Sequence, residues 1–400
     1  MILQIALMRK YLFHFFMTSI ILVTACNSPT QNQVKLSQSN SIDFNTQKII
    51  TEAENFMTLT PITITDFKAE RSSGGNHDYY SEGLYWWANP DDPDGPFIRK
   101  DGQRNPNNFR EHKNALREFC KIVTTLTAAY QLTNDEKYAH HAIHHIQAWF
   151  ANPATKMNPS MLYAQAIKGI STGRGIGIID TVRLINVAIS ILYLEEIKIL
   201  RGEQLTVIKK WFDNYSVWLT SHPYGMDERD NNNNHSTWWG AQVAAFAKVA
   251  GRDDLLKKSQ IQFKEQLGIQ MAEDGSFPNE LDRTKPFHYM NYNLRAWTSF
   301  ALLASTPDEN LWEYESKNGT LQKAIDFMVP FYNNPNTWKY FSEMEKEIHP
   351  ERNDFLLFAY WGIGNEKILE LWKSLETNKN PDEDIAREEN LVIWDNKMSG

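Results

Sequence analysis

The sequence of 400 residues predicts an all-α protein, an (α/α)n toroid: an incomplete α/α barrel of helical hairpins whose long loops line a central cleft. Three observations predict it. From about residue 110 onward, apolar residues recur at three- and four-residue spacing, the period of a helix with one buried face. The connections between these runs are short, and runs of alternating apolar residues are nearly absent. No repeat of fixed length is visible, so hairpins wrapped around a cleft are expected in place of an open solenoid.

The helices read off in order. Leu116, Phe119, Cys120, Val123, Leu126 and Tyr130 form one apolar stripe. Thr133 and Glu136 have capping-box spacing and predict the next helix start. That helix is expected to bury Ala142, Ile143, Ile146, Trp149 and Phe150 and to stop at Asn152-Pro153. Further amphipathic runs lie at about 180–200, 203–220, 236–250, 255–272, 291–305 and 319–332. Three polar stretches, Arg71 to Phe109, Asn152 to Asp180 and His222 to Asn234, are too long for simple connectors. Long loops on a rigid scaffold are where binding and catalysis concentrate. A fourth segment, Asp274 to Tyr292, carries Arg283, His288 and Tyr289.

The N-terminus reads as an export signal. Arg9 and Lys10 precede an apolar run from Tyr11 to Ala25, the length of a signal-peptide core and short for a membrane span. Leu22-Val23-Thr24-Ala25-Cys26 has the form of a bacterial lipobox, with Cys26 as the acylated residue. The domain boundaries follow: signal peptide 1–26, flexible tether 27–45, toroid 46–385 and C-terminal tail 386–400. The tether rests on its Ser, Asn and Gln content. Cys120, the other cysteine, then has no partner for a disulfide. The expected location is periplasmic or outer-membrane anchored, with the lipid as the sole membrane contact.

Net charge is −8, so no global field draws the chain to nucleic acid, and a polyanionic ligand needs a local basic pocket. The 13 Trp and 16 Tyr suit stacking on sugar faces and equally suit cores. The most unusual stretch is Asn231-Asn232-Asn233-Asn234-His235-Ser236-Thr237-Trp238-Trp239. One Asn would cap the helix that starts near Ser236; four followed by His and two Trp exceed that need. Downstream, Arg283 and His288 to Tyr292 bring a cation and two tyrosines toward a helix start.

Taken together, Asn233-Asn234-His235-Ser236, Arg283 and Tyr289-Met290-Asn291-Tyr292 resemble the alginate lyase superfamily, which includes polysaccharide lyase families 5 and 38. Ser81 to Trp87 and Gly95 to Pro106 resemble its N-terminal loop. Met157-Asn158-Pro159, Tyr163 to Ala166 and Gly173 to Asp180 resemble its second loop. The likeness spans about residues 75 to 300. The six-residue step from Arg283 to Tyr289 is closer to family 38 than to family 5. The resemblance implies β-elimination on a β-linked uronan, alginate or glucuronan, with poly-mannuronate favoured and no cofactor or metal required.

The residue types suit that chemistry. The C5 proton beside a uronate carboxylate becomes removable when that carboxylate is neutralised by preorganised donors and a cation. By resemblance, Asn234 and Arg283 would do this with His235 assisting, and an Arg fork can meet a carboxylate bidentately. Tyr289 would be base and acid. Its reference pKa is about 10, and bringing it to neutrality takes about 3–4 kcal/mol of preferential phenolate stabilisation. Positive charge from Arg283 or a protonated histidine acts in that direction. In β-D-mannuronate and β-D-glucuronate the C5 hydrogen and C4 oxygen share a face, so one tyrosine could serve both. In α-L-guluronate they do not, and His235 is the natural separate base.

Arg174, Gln165, Tyr163, Trp87, Trp238 and His288 are the expected substrate-binding residues, with Trp86 a further stacking candidate. His140, His141, His144 and His145 include two i,i+4 pairs but lack the Glu of a zinc HExxH motif, so an ordinary helix face is expected. Gly169, Gly173, Gly175 and Gly177 match no phosphate-loop spacing, and no strand is expected before them. Two other readings stay open: a helical-toroid hydrolase using two of Asp180, Asp227, Glu228 and Glu280, and a non-catalytic glycan-binding lipoprotein.

Overall fold

The computed structural model describes residues 42, 44–376 and 388–399. The segment expected to be an export signal, Cys26 and most of the expected tether lie outside the described residues, as does the segment 377–387.

Helices dominate, as the spacing predicts. Helix α1 spans Thr46–Phe56; α2 is Glu111–Thr133 and α3 Glu136–Phe150. A 3-10 segment, Gly175–Thr181, leads into α4 at Leu184–Glu196. Then come α5 (Gly202–Ser221), α6 (Pro223–Arg229), α7 (Asn234–Ala250) and α8 (Asp253–Gln270). The short α9 (Pro278–Leu281) precedes α10 (Pro286–Ala304) and α11 (Leu321–Asn333). The last are α12 (Asp354–Ile363), α13 (Glu366–Ser374) and α14 (Glu388–Ser399). Pairs such as α2 with α3, α7 with α8 and α12 with α13 pack as hairpins, giving the α/α toroid.

Helix α7 is the hub. It packs on α4, α5, α8 and α10, so residues all round it are buried, from Trp238 to Phe246. Gly240 makes the α7–α10 approach possible: a Cβ there would lie 2.2 Å from the Phe300 ring. The helices that carry the histidine and tyrosine motifs are thereby held face to face.

Several elements differ from the sequence reading. Thr133 ends α2, its hydroxyl donating to the Ala129 carbonyl, and Asp135 caps α3 by accepting from Lys137 N. Asp135, one residue before the helix, is placed for its carboxylate to reach the first-turn N–H directly. The polar stretch 222–234 contains α6, opened by Pro223 at its first position. Helix α10 begins at Pro286 for the same reason, five residues before the expected start, so Tyr289 lies within the helix. The tail assigned to 386–400 contains α14, which packs on α2 and α4 and buries Leu391, Val392, Ile393 and Trp394. Trp394 Nε1 donates to Asn186 Oδ1 at 2.8 Å.

Among the described residues, four short strands join the loops. β1 (Tyr80–Glu82) pairs in parallel with β4 (Tyr163–Ala166), and β2 (Trp86–Trp87) pairs antiparallel with β3 (Ile98–Arg99). The β1–β4 pairing ties the N-terminal loop to the second loop beside the toroid's opening. Strand β4 does precede the glycine run, contrary to expectation. Gly173, however, meets a packing need: a Cβ there would fall 1.9 Å from the Leu162 carbonyl oxygen.

Candidate active site

Asn233 caps α7 by accepting from His235 N at 3.0 Å. That frees the next side chain. Asn234 Nδ2 donates to both oxygens of Glu280, at 2.9 and 3.0 Å, and the Asn234 backbone N–H donates to the same carboxylate at 2.6 Å. Glu280 is fully buried, at the positive end of the α7 dipole. Burial raises its pKa, against the opposing pull of Asn234, Arg283 and His235. His235 Nδ1 lies 2.7 Å from Glu228 Oε1, and Glu228 has no solvent exposure.

Arg283 follows α9 by two residues and reaches Tyr289 on α10. Its guanidinium donates to the phenolic oxygen at 2.7 Å and lies 3.8 Å from the ring centroid. Asp101, from the N-terminal loop, sits 3.8 Å from the same guanidinium. Tyr85 Oη, also from that loop, is 3.3 Å from Tyr289 Oη. Arg283 thus pairs directly with Tyr289, Asn234 directly with Glu280, and the Arg283 charge reaches both Glu280 and His235.

One electrostatic expectation is reversed. Burial pushes the Tyr289 pKa far above its ordinary value, Tyr85 acts the same way, and Arg283 opposes them without prevailing. The Tyr289 phenol is therefore protonated at neutral pH.

The second loop supplies Arg174. Its Nε donates to the Gln165 carbonyl at 2.9 Å and its Nη2 to Gln165 Oε1 at 3.0 Å. Gln165, at a left-handed φ of 49°, thus anchors Arg174. Arg174 lies 5.8 Å over the Trp86 ring, and burial lowers its pKa to about 10. Trp87 donates from Nε1 to the Gln103 carbonyl at 2.9 Å, with Lys100 5.2 Å over its ring. Tyr163 packs its ring on Gly74. Trp238 corrects the sequence reading: it is 1% exposed, packed on Tyr292 in the interior of the hub helix, and cannot stack on a sugar.

His288, Asn291, Tyr292 and Arg295 share one face of α10 and line a cleft of about 260 Å3 that also takes in Tyr332 and Asn353. His288 stacks on Tyr292 at 6.3 Å and meets the Tyr289 ring edge-on at 5.3 Å. Asp180 binds Lys113 Nζ and Ser81 Oγ at 2.6 Å each and Tyr79 Oη at 3.2 Å. Of the acids weighed for hydrolysis, Asp180, Glu228 and Glu280 are each tied up in such contacts, and Asp227 is exposed. The histidine cluster serves packing: His141 Nε2 meets the Phe56 carbonyl at 3.0 Å, and His145 is buried with its pKa lowered to about 4 by burial and its histidine neighbours.

Glu228, Glu280 and Tyr85 are the site residues that sequence reasoning missed in these positions. In the sequence the two glutamates figure only as candidate acids of the hydrolase reading, and Tyr85 as part of a loop motif without a role.

The family model described as alginate lyase matches residues 63–338. An alginate lyase from Bacteroides ovatus, known from a crystal structure at 1.60 Å resolution, shares 29% identity and a TM-score of 0.76. That match covers 87% of this chain and 92% of the other. Alginate lyase A1-III from Sphingomonas species A1 is 17% identical over 82% of this chain and 89% of that one, with a TM-score of 0.54, a likeness of fold. A histidine-to-alanine variant of A1-III, complexed with tetrasaccharide, matches at 16% identity and a TM-score of 0.55, over 81% and 88% of the two chains. No curated protein matches the chain. With the family model spanning most of its length on an α/α toroid, the chain is a polysaccharide lyase and belongs to the alginate lyase family.

Proposed function

We propose that this lyase cleaves a β-linked uronan, alginate with poly-mannuronate favoured, or glucuronan, by β-elimination with Tyr289 as both base and acid. The observation that carries the reading is the Arg283–Tyr289 pair: a guanidinium donating to the phenolic oxygen at 2.7 Å while covering its ring. A phenolate formed there meets a fixed positive charge, and the same cation is close enough to serve the uronate carboxylate.

The steps follow. Asn234, His235 and Arg283 take up the negative charge of the C5 carboxylate. Tyr289 oxygen removes the C5 proton, electrons form the C4–C5 double bond, and the C4–oxygen bond breaks. The same phenol returns its proton to the departing oxygen, so no water is consumed. Because burial keeps the resting phenol protonated, turnover runs through a minority phenolate held by Arg283. Arg174, Tyr163, Trp87 and His288 would contact neighbouring sugar units. The tetrasaccharide held by the A1-III variant is consistent with a cleft that spans several units.

The test is to follow ultraviolet-absorbing unsaturated ends on poly-mannuronate, poly-guluronate and glucuronan. Product from poly-mannuronate or glucuronan is expected; turnover of poly-guluronate alone would remove the single-tyrosine mechanism. We also propose that the mature chain is a bacterial lipoprotein, periplasmic or outer-membrane anchored, acylated at Cys26 after cleavage behind Ala25. Mass spectrometry of the N-terminal peptide should find the acyl groups, and Cys26→Ser should release the protein from membranes.

A further inference from the structure

Glu228 is a buried acid that the elimination steps leave unused. Both of its oxygens are engaged: Oε1 with His235 Nδ1 at 2.7 Å, and Oε2 as acceptor from Asn231 Nδ2 at 3.1 Å. It has no solvent exposure, so a carboxylate there needs a positive partner. The neighbouring cations are committed elsewhere: Arg174 to Gln165, and Arg283 to Tyr289. Among the described residues, His235 is the one group in direct contact able to supply the charge.

The groups facing His235 agree. From α6 comes Glu228, from α9 comes Glu280, and from the following turn comes Arg283. Two carboxylates against one guanidinium favour a protonated ring. Burial works against the charge, and Glu228 foremost, then Glu280, outweighs it, raising the His235 pKa. With Nδ1–H given to Glu228, an imidazolium has its Nε2–H left to donate.

We propose that Glu228 is a positioning residue that keeps His235 in the imidazolium form, making the histidine a donor to the uronate carboxylate and not the proton-abstracting base. This rests on the carboxylate-neutralising role given to His235 above. It differs from a catalytic dyad, in which the acid would sharpen a neutral histidine to take a proton.

The experiment is a nuclear magnetic resonance titration of the full-length protein labelled with 15N-histidine, without substrate, with His235→Ala assigning the signal. Expected is a His235 ring protonated on both nitrogens at pH 7, with a midpoint above the ordinary value of about 6.5. Glu228→Gln should lower the midpoint by about one pH unit or more, a tenfold change in proton affinity. Glu228→Asp, which keeps the charge, should fall between the two and covers the case in which the amide variant fails to fold. A His235 neutral at pH 7 in the unaltered protein, or an unmoved midpoint in both variants, would overturn the proposal. A second arm measures kcat/KM at pH 7, where Glu228→Gln should lose about tenfold or more, and unchanged turnover would equally overturn it. Absence of unsaturated product from every uronan would instead strike the elimination reading, leaving the titration result to stand by itself.

Discussion

At the scale of single residues, the proposed elimination depends on one phenolic hydroxyl. Tyr289→Phe keeps the ring under Arg283, so the fold and the cleft should persist while the acid–base atom is gone. Turnover should fall by about 10^2–10^4-fold or more, with substrate affinity within a few-fold by calorimetry. Arg283→Ala removes both the phenolate partner and a carboxylate donor; kcat should drop by about 10^2–10^3-fold, read from the growth of unsaturated ends. A nearly unchanged rate would deny Arg283 its role. Asn234, His235, Arg283 and Tyr289 stand out in the sequence as candidates through the unusual Asn-His run and the resemblance of their motifs to the alginate lyase superfamily. The partners of Glu228 and Glu280 were not legible, because a glutamate in a sequence does not show that an amide or imidazole from a different helix will lie against it. The resting protonation of Tyr289 was equally illegible: charge neighbours can be read from sequence, whereas the burial that outweighs them depends on how the chain closes over the ring.

At the scale of elements, the site is a consequence of how α7 and α10 meet. Gly240→Ala would force a methyl group to 2.2 Å from Phe300, and overpacking of this kind costs about 1–3 kcal/mol. Denaturant unfolding should show that loss, and because the strain falls between the two helices bearing the site, turnover should fall with it. Helix positions were legible wherever an apolar stripe is long. Starts were less so. Pro286 can open a helix because its missing N–H is not needed there, yet the polar residues around it resemble a loop. Thr133 and Asp135 are both able to cap, and which one does so depends on where α2 ends.

At the scale of the whole molecule, the chain's last described helix is structural. Removing α14 would uncover α2 and α4 and delete the Trp394–Asn186 hydrogen bond. A chain ending at residue 376 should melt lower, by about 1–2 °C for each kcal/mol lost, given an unfolding entropy of about 2.1 cal/mol/K per residue. The stripe of apolar residues in α14 is short and flanked by charge, which is why it reads as a tail. The toroid itself was legible because its hairpins repeat one local rule many times, whereas its closure depends on contacts between distant ends.

The Asp180 contacts act as a clasp between Lys113 of α2 and the loop residues Ser81 and Tyr79. Burial opposes the Asp180 charge, but Lys113 and the two hydroxyls prevail and hold its pKa below the ordinary carboxylate value. The stabilisation is therefore intact above the unfolded-state pKa and vanishes as pH drops through the lower folded value. Acid should consequently unfasten the rim before it melts the helical body. Hydrogen exchange under progressively acidic conditions would register this as early deuterium uptake around β1 and β4 while α7 stays protected, and simultaneous exchange of both would show that the clasp has no such independence.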